Sequence, residues 1–266
     1  MDELNGYVAA WAGSAADVDA LLGELSADDW AAPTDCPGWT VQDVVAHLAA
    51  IEAELARGTG PTQVVPLEGR SPASWYTEAG VTERRGRPAV EVVAEWRVGG
   101  GAPRDAGGPH AHRARGTRAL ARGLPWDHRT LLRNRALDTW VHEQDIRRAT
   151  GRPGSMDTPG AELAATVFSS ALPYVIGKKA GAPPGTRVAV SVDGVRADYV
   201  VDPRGRCVVA DDAAEPDVAL DLAREALTVL AAGRRTPASL PAGARADVVG
   251  DTELGERILA EMAVTV

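Results

Sequence analysis

Apolar positions recur every three or four residues through most of the first 180 residues, and every two residues after that. Between residues 7 and 25, Val8, Trp11, Ala15, Val18, Leu21, Leu22 and Leu25 mark one face of an amphipathic helix, with Ser26 and Pro33 framing its exit. Pro37-Gly38 makes a turn, and Thr40-Val-Gln-Asp43 has the form of a capping box with aspartate for the usual glutamate. A second helix is therefore expected from Val41, striped by Val41, Val44, Val45, Leu48, Ile51 and Leu55, with His47 on the flank of the stripe. Residues 58–71 are loop-like. A third helical stretch is predicted from about Ser74 to Arg97, interrupted near Gly86 to Pro88. Gly99 to Gly123 is rich in glycine and arginine with little periodicity, and reads as a long flexible loop, either a gate or a plain connection. Its His110-x-His112 pair offers metal donors only if that loop is ordered.

From Leu131 to Ala149 there is neither proline nor glycine, and Gly151 and Pro153 follow as stop signals, so one long helix is predicted. At about 100° per residue, Leu131, Asn134, Arg135, Asp138, Val141, His142, Asp145 and Ala149 fall on one side. Arg133, Glu143, Gln144 and Arg147 fall opposite, and Trp140 points away from Asp138. Laying the first face on a core would bury a carboxylate beside an imidazole, which costs several kcal/mol unless they pair with each other or with a metal. Thr158-Pro159 starts another helix through Leu172 and Val175 that Pro173 is expected to kink. Ala180 to Gly185 reads as a linker. Beyond it, Arg187–Val192 and Val195–Val201 alternate about the hairpin signal Asp193-Gly194. Strand patterns continue at 206–210, 217–222 and 247–250, and helices at 223–232 and 252–262. The expectation is a mainly α protein in two domains, an all-α domain over 1–180 and a small α+β domain over 185–266.

Composition narrows the classes. The chain has 266 residues, 45% hydrophobic and 24% charged, which suits a soluble globular protein. Its net charge is -9, and its basic residues are interleaved with acids, so nucleic acid is an unexpected partner. The start lacks a signal peptide and no apolar run is long enough for a membrane helix; a cytoplasmic, non-membrane protein is expected. Cys36 and Cys207 are far apart and read as two unrelated thiols. Arginine makes up all basic residues except Lys178 and Lys179, which with abundant alanine and glycine suggests GC-rich coding.

Asp138-x-x-x-His142 places two metal-ligand types one helical turn apart, and His47 supplies a second imidazole from another helix. Two imidazoles and a carboxylate suit a catalytic zinc with one position left open. The bland alternative is that Asp138 merely orients His142. Asp145, a further turn along, either orients a ligand histidine or is a solvent-side or capping carboxylate. Arg135 either binds a substrate carboxylate or pairs with a neighbouring acid. Trp39 and Trp140 read as packing residues.

The run Asp35-Cys-Pro-Gly-Trp-Thr-Val-Gln-Asp-Val-Val-Ala-His-Leu-Ala-Ala-Ile-Glu52, followed by Arg135-Ala-Leu-Asp-Thr-Trp-Val-His-Glu-Gln-Asp-Ile-Arg-Arg-Ala149, resembles the mycothiol-dependent maleylpyruvate isomerase family, a branch of the DinB-like metalloenzymes. The resemblance implies a DinB-like up-and-down four-helix bundle carrying zinc, followed by a sterol-carrier-like α+β domain. It implies His47, Asp138 and His142 as the metal ligands, with aspartate where the family has glutamate. It also implies mycothiol, a low-molecular-weight thiol of actinobacteria, as cosubstrate, and a small-molecule electrophile as substrate. The expected enzyme is a zinc- and mycothiol-dependent isomerase or S-transferase, in which the metal activates the thiol. The alternatives are a non-catalytic small-molecule-binding protein and a zinc-dependent hydrolase on the same scaffold. Bundles of this size are commonly monomeric, so a monomer is expected.

Overall fold

The computed structural model describes residues 3–57, 60–69, 71–101, 127–211 and 214–265. The architecture is mainly α with one small mixed sheet, in two compact units, Met1–Leu163 and Ala164–Val266.

The first unit is a helical bundle built from α1 (Glu3–Leu22), α2 (Ala27–Ala31), α3 (Val41–Arg57), α4 (Pro72–Thr82), α5 (Ala89–Trp96) and α6 (His128–Thr150), with α7 (Pro159–Ser170) crossing into the second unit. Helix α6 packs on α1 and α3, and α3 packs also on α4 and α5. The apolar stripes meet in a core that includes Val18, Leu21, Val41, Val44, Val45, Leu48, Val92, Trp96 and Ile146. The expected box at the start of α3 is present: Asp43 accepts from the Thr40 N–H at 3.0 Å, and the Asp43 N–H donates to Thr40 Oγ1 at 3.3 Å. Ser26 and Asp29 make a second capping box that starts α2, a helix the periodicity does not predict.

Two expectations need correction. Residues 99–101, read as the start of a loop, continue α5 as a π-helical turn over Arg97–Gly101 packed on α3. Gly99 permits that approach, since a Cβ there would stand 2.8 Å from the Glu52 Cβ. The rest of the predicted loop, with His110 and His112, lies outside the described residues. The second correction concerns α6. Glu143 and Gln144, placed opposite the polar-apolar face, are buried, as is every residue from Thr139 to Ile146. The turn after the helix covers this side: Trp140 Nε1 donates to the Ser155 carbonyl and Gln144 Nε2 donates to the Gly154 carbonyl, while within the helix Glu143 accepts from Arg147 Nε at 2.7 Å. Asp127 caps the N-terminus, and Gly151, at φ +65°, closes the C-terminus in the left-handed region.

In the second unit the sheet runs β3 (Cys207–Val209), β2 (Val195–Val201), β1 (Arg187–Val192), β4 (Val218–Leu222), β5 (Ala246–Gly250), with only the β1–β4 pair parallel. Asp193 and Gly194 turn the β1–β2 hairpin with positive φ at both positions, as a two-residue turn of matching twist requires. Helices α8 (Arg224–Ala231) and α9 (Thr252–Ala260) pack on β4, burying Val218, Leu220 and Leu222. The helix before the sheet breaks at Ala171, just ahead of Pro173, and resumes as a short turn over Leu172–Tyr174. Among the described residues no helix is long and apolar enough to cross a membrane.

Candidate metal centre

Helices α3 and α6 bring together three donors from distant parts of the chain. His47 projects from α3, and Asp138 and His142 lie one turn apart on α6. The Asp138 carboxylate stands between the imidazoles, with Oδ2 3.1 Å from His47 Nε2 and Oδ1 3.5 Å from His142 Nε2. The ring centroids of His47 and His142 are 4.7 Å apart, edge to face. All three donor atoms lie within 4.8 Å of one another. A tetrahedral ion with bonds of 2.0–2.2 Å needs donors roughly 3.4 Å apart, so the cluster fits one divalent cation with small adjustments. The aspartate arm, one methylene shorter than a glutamate, still reaches both Nε2 atoms.

Exposure is uneven across the cluster. The side chains of His47 and His142 are each 7% exposed, whereas that of Asp138 is 37% exposed. Burial alone would favour the neutral forms of Asp138 and His142, yet the charges around them outweigh it. Burial works against the Asp138 anion, but the two imidazoles outweigh it and hold its carboxyl well below the usual carboxylate range. Burial likewise works against a His142 cation, and Asp138 outweighs it, raising His142 well above an ordinary histidine. At such a site a metal cation would compete with the histidine proton for the same nitrogen.

Behind His142 lies a second layer. Asp145 is wholly buried; its Oδ2 lies 3.0 Å from His142 Nδ1 and accepts the Cys36 thiol at 3.2 Å. Its Oδ1 accepts from Arg148 at 2.7 Å, and Arg148 Nε also donates to Asp35 at 2.6 Å. Cys36, His142 and Asp145 form a second group of metal-ligand types. The Arg148 guanidinium already balances Asp145, so this group is a hydrogen-bonded support for the first. An acceptor at Nδ1–H favours the tautomer in which Nε2 carries the lone pair. Of the two readings of Asp145, the solvent-side one is excluded by its burial.

Of the two readings of Arg135, the structure shows the pairing with an acid: its guanidinium forms a bidentate ion pair with the buried Glu52 of α3 and stacks 3.7 Å from the centre of the Trp11 ring. Trp39, read as packing, does pack against the core and also sits against both site histidines, with centroid distances of 5.4 Å to His47 and 6.1 Å to His142. Its nearness to His47 in sequence, on the turn that leads into α3, is the one signal that could have marked it. Cys36 and Cys207 are both free thiols in different units, as expected, and burial pushes Cys207 up to about 11.

The family model of the mycothiol maleylpyruvate isomerase N-terminal domain matches residues 11–147, a stretch that contains all three donors. The chain belongs to that family. Two uncharacterized proteins from two strains of Mycobacterium tuberculosis are each 29% identical over 151 residues, covering 54% of this chain and 56% of the relative. The match thus spans just over half the length of those relatives. Solved structures of the mycothiol-dependent maleylpyruvate isomerase and of a histidine-to-alanine variant of it superpose with TM-scores of 0.51 at 14–15% identity, over 87% of this chain and 90% of theirs. At that identity the likeness carries the fold and leaves the chemistry to the residues.

Proposed function

We propose that this family member is a zinc- and mycothiol-dependent enzyme acting on a small electrophile, as an isomerase or an S-transferase. The observation that carries the reading is the convergence of His47 Nε2, Asp138 Oδ and His142 Nε2 within 4.8 Å, open to solvent on the Asp138 side. Two neutral nitrogens and one anionic oxygen make a donor set that holds a borderline divalent cation and leaves a position free. A cation held there supplies one thing, a lowered pKa for a thiol that joins it, so that the thiol acts as thiolate near neutral pH.

The chain's own residues do the rest. Asp145, braced by Arg148 and Cys36, holds the proton on His142 Nδ1 and aims Nε2 forward. Asp138 leaves the centre at one net positive charge when a dication is bound, which favours one further anion. The Cys36 thiol is buried and donates to Asp145, so in this reading it supports the histidine and the nucleophile comes from outside the chain.

The test is metal content of protein purified without chelator, compared with His142→Ala, followed by turnover assays with and without mycothiol. About one zinc per chain, lost in the variant, together with thiol-dependent turnover is the expected result. Metal-dependent turnover without any thiol would overturn the thiol chemistry in favour of a hydrolase. A folded wild type that takes up no metal would overturn the enzyme reading and leave a binding protein.

A further inference from the structure

Trp39 is pinned more firmly than packing requires. Its carbonyl accepts from the Thr34 N–H at 3.0 Å and from Thr34 Oγ1 at 2.9 Å, and its own N–H donates to the Cys36 carbonyl at 3.0 Å. Gly38, at φ +81°, makes the turn that closes this loop. At the far end of the side chain, the indole N–H donates to Glu78 Oε2 of α4 at 2.9 Å. Glu78 is held in turn by Arg85 at 3.1 Å, and Arg85 also binds Asp43, the capping carboxylate of the helix that carries His47. Between these two anchors the indole plane lies stacked on His142, at an interplanar angle of 28°, and tilted by 43° against His47.

We infer that Trp39 is a positioning residue of the donor set, locked in place by Glu78, and that it walls one side of the centre so that an incoming ligand reaches the donors past Asp138. This inference rests on the metal-site reading above. A rigid aromatic face against two imidazoles limits the ring rotations that would swing Nε2 away from the common point. It also shields that side from water, in keeping with two nearly inaccessible imidazoles beside an Asp138 side chain that is 37% exposed. The hydrogen bond to Glu78 gives the wall one orientation, which an apolar contact alone does not.

Cobalt(II) titration of the full chain tests this without any turnover. The visible absorption of bound cobalt reports coordination number and geometry, and its paramagnetism quenches nearby tryptophan emission. In the wild type we expect a tight complex and marked quenching. Trp39→Leu removes the flat wall and should weaken cobalt binding on the order of 10-fold, the lower end of what loss of a supporting residue costs a metal site, with an altered absorption band. Trp39→Phe should keep most of the affinity and lose most of the quenching. Glu78→Leu keeps the indole but frees it, and should shift the absorption band even if Trp39→Leu folds poorly. Wild-type affinity and spectrum in both Trp39→Leu and Glu78→Leu would overturn the inference while leaving the metal site intact. A wild type that binds neither cobalt nor zinc would remove the metal reading itself, and this inference with it.

Discussion

Asp138 and His142 set how the metal-free centre responds to pH. His142 is raised above its ordinary 6.5, so its contribution to stability is fully present below that value and is lost as pH rises through the folded-state value. Asp138 is depressed below its ordinary 3.8, so its contribution is present above that value and is lost as pH falls. The pair therefore stabilises the metal-free protein fully between those two values. A cation must displace the His142 proton, so zinc uptake near neutral pH should release protons, and apparent affinity should rise from about pH 6 to 8. Titration in a weakly buffered indicator dye checks this; uptake without acidification would show that His142 was already neutral. Asp145→Asn should weaken zinc binding by about 10- to 100-fold, because the amide can present its N–H to Nδ1 and favour the wrong tautomer. Cys36→Ser retains a donor to Asp145 and should bind zinc and turn over as the wild type does; a dead variant with full metal would point to an enzyme thiol. At this scale the sequence exposes residue type and spacing, and these, with the family resemblance, point to His47, Asp138, His142 and Asp145. Partner choice is not exposed in the same way. Nothing in the neighbourhood of Glu52 announces that it will claim Arg135, 83 residues away, or that Glu78 will hold Trp39.

Helices α3 and α6 meet through that Glu52–Arg135 pair as well as through the donors. A buried ion pair adds little relative to well-packed apolar residues, yet breaking it leaves an uncompensated charge. Glu52→Ala should therefore destabilise the first unit by about 3–5 kcal/mol, while Glu52→Leu combined with Arg135→Leu should cost far less. Urea denaturation of the two variants decides the point; equal losses would show that volume rather than charge governs this contact. Elements differ in how plainly they are written. The β1–β2 hairpin follows from alternation about Asp193-Gly194, and α3 follows from its stripe and cap. Helix α6 has clear ends, but periodicity assigns it one inward face, and the run Thr139–Ile146 is buried on all sides. Its second buried face carries polar groups that bond to Ser155, Gly154 and Arg147, so a search for apolar residues passes over it. The short helix α2 escapes for another reason. Five residues are too few for a period to show, and only the Ser26–Asp29 capping box marks it.

For the whole molecule, the donors all belong to the first unit, and a ligand that binds only the folded form stabilises that form by mass action. Zinc at about 100 times its Kd should add about 2.7 kcal/mol to the first unit and nothing to the second. Differential scanning calorimetry should show only part of the heat absorption moving upward with zinc. A uniform shift of the whole transition would instead mean that the two units unfold together. The donors also carry a consequence for time. His47 and Asp138 are 91 residues apart in the chain, whereas the turns of α3 and α6 close over four. Helical structure can form in microseconds or less, but the centre exists only once that long loop has closed and both helices have docked. During refolding, metal capture should lag behind the return of helical signal, which makes the ion a marker of the moment when the bundle becomes native.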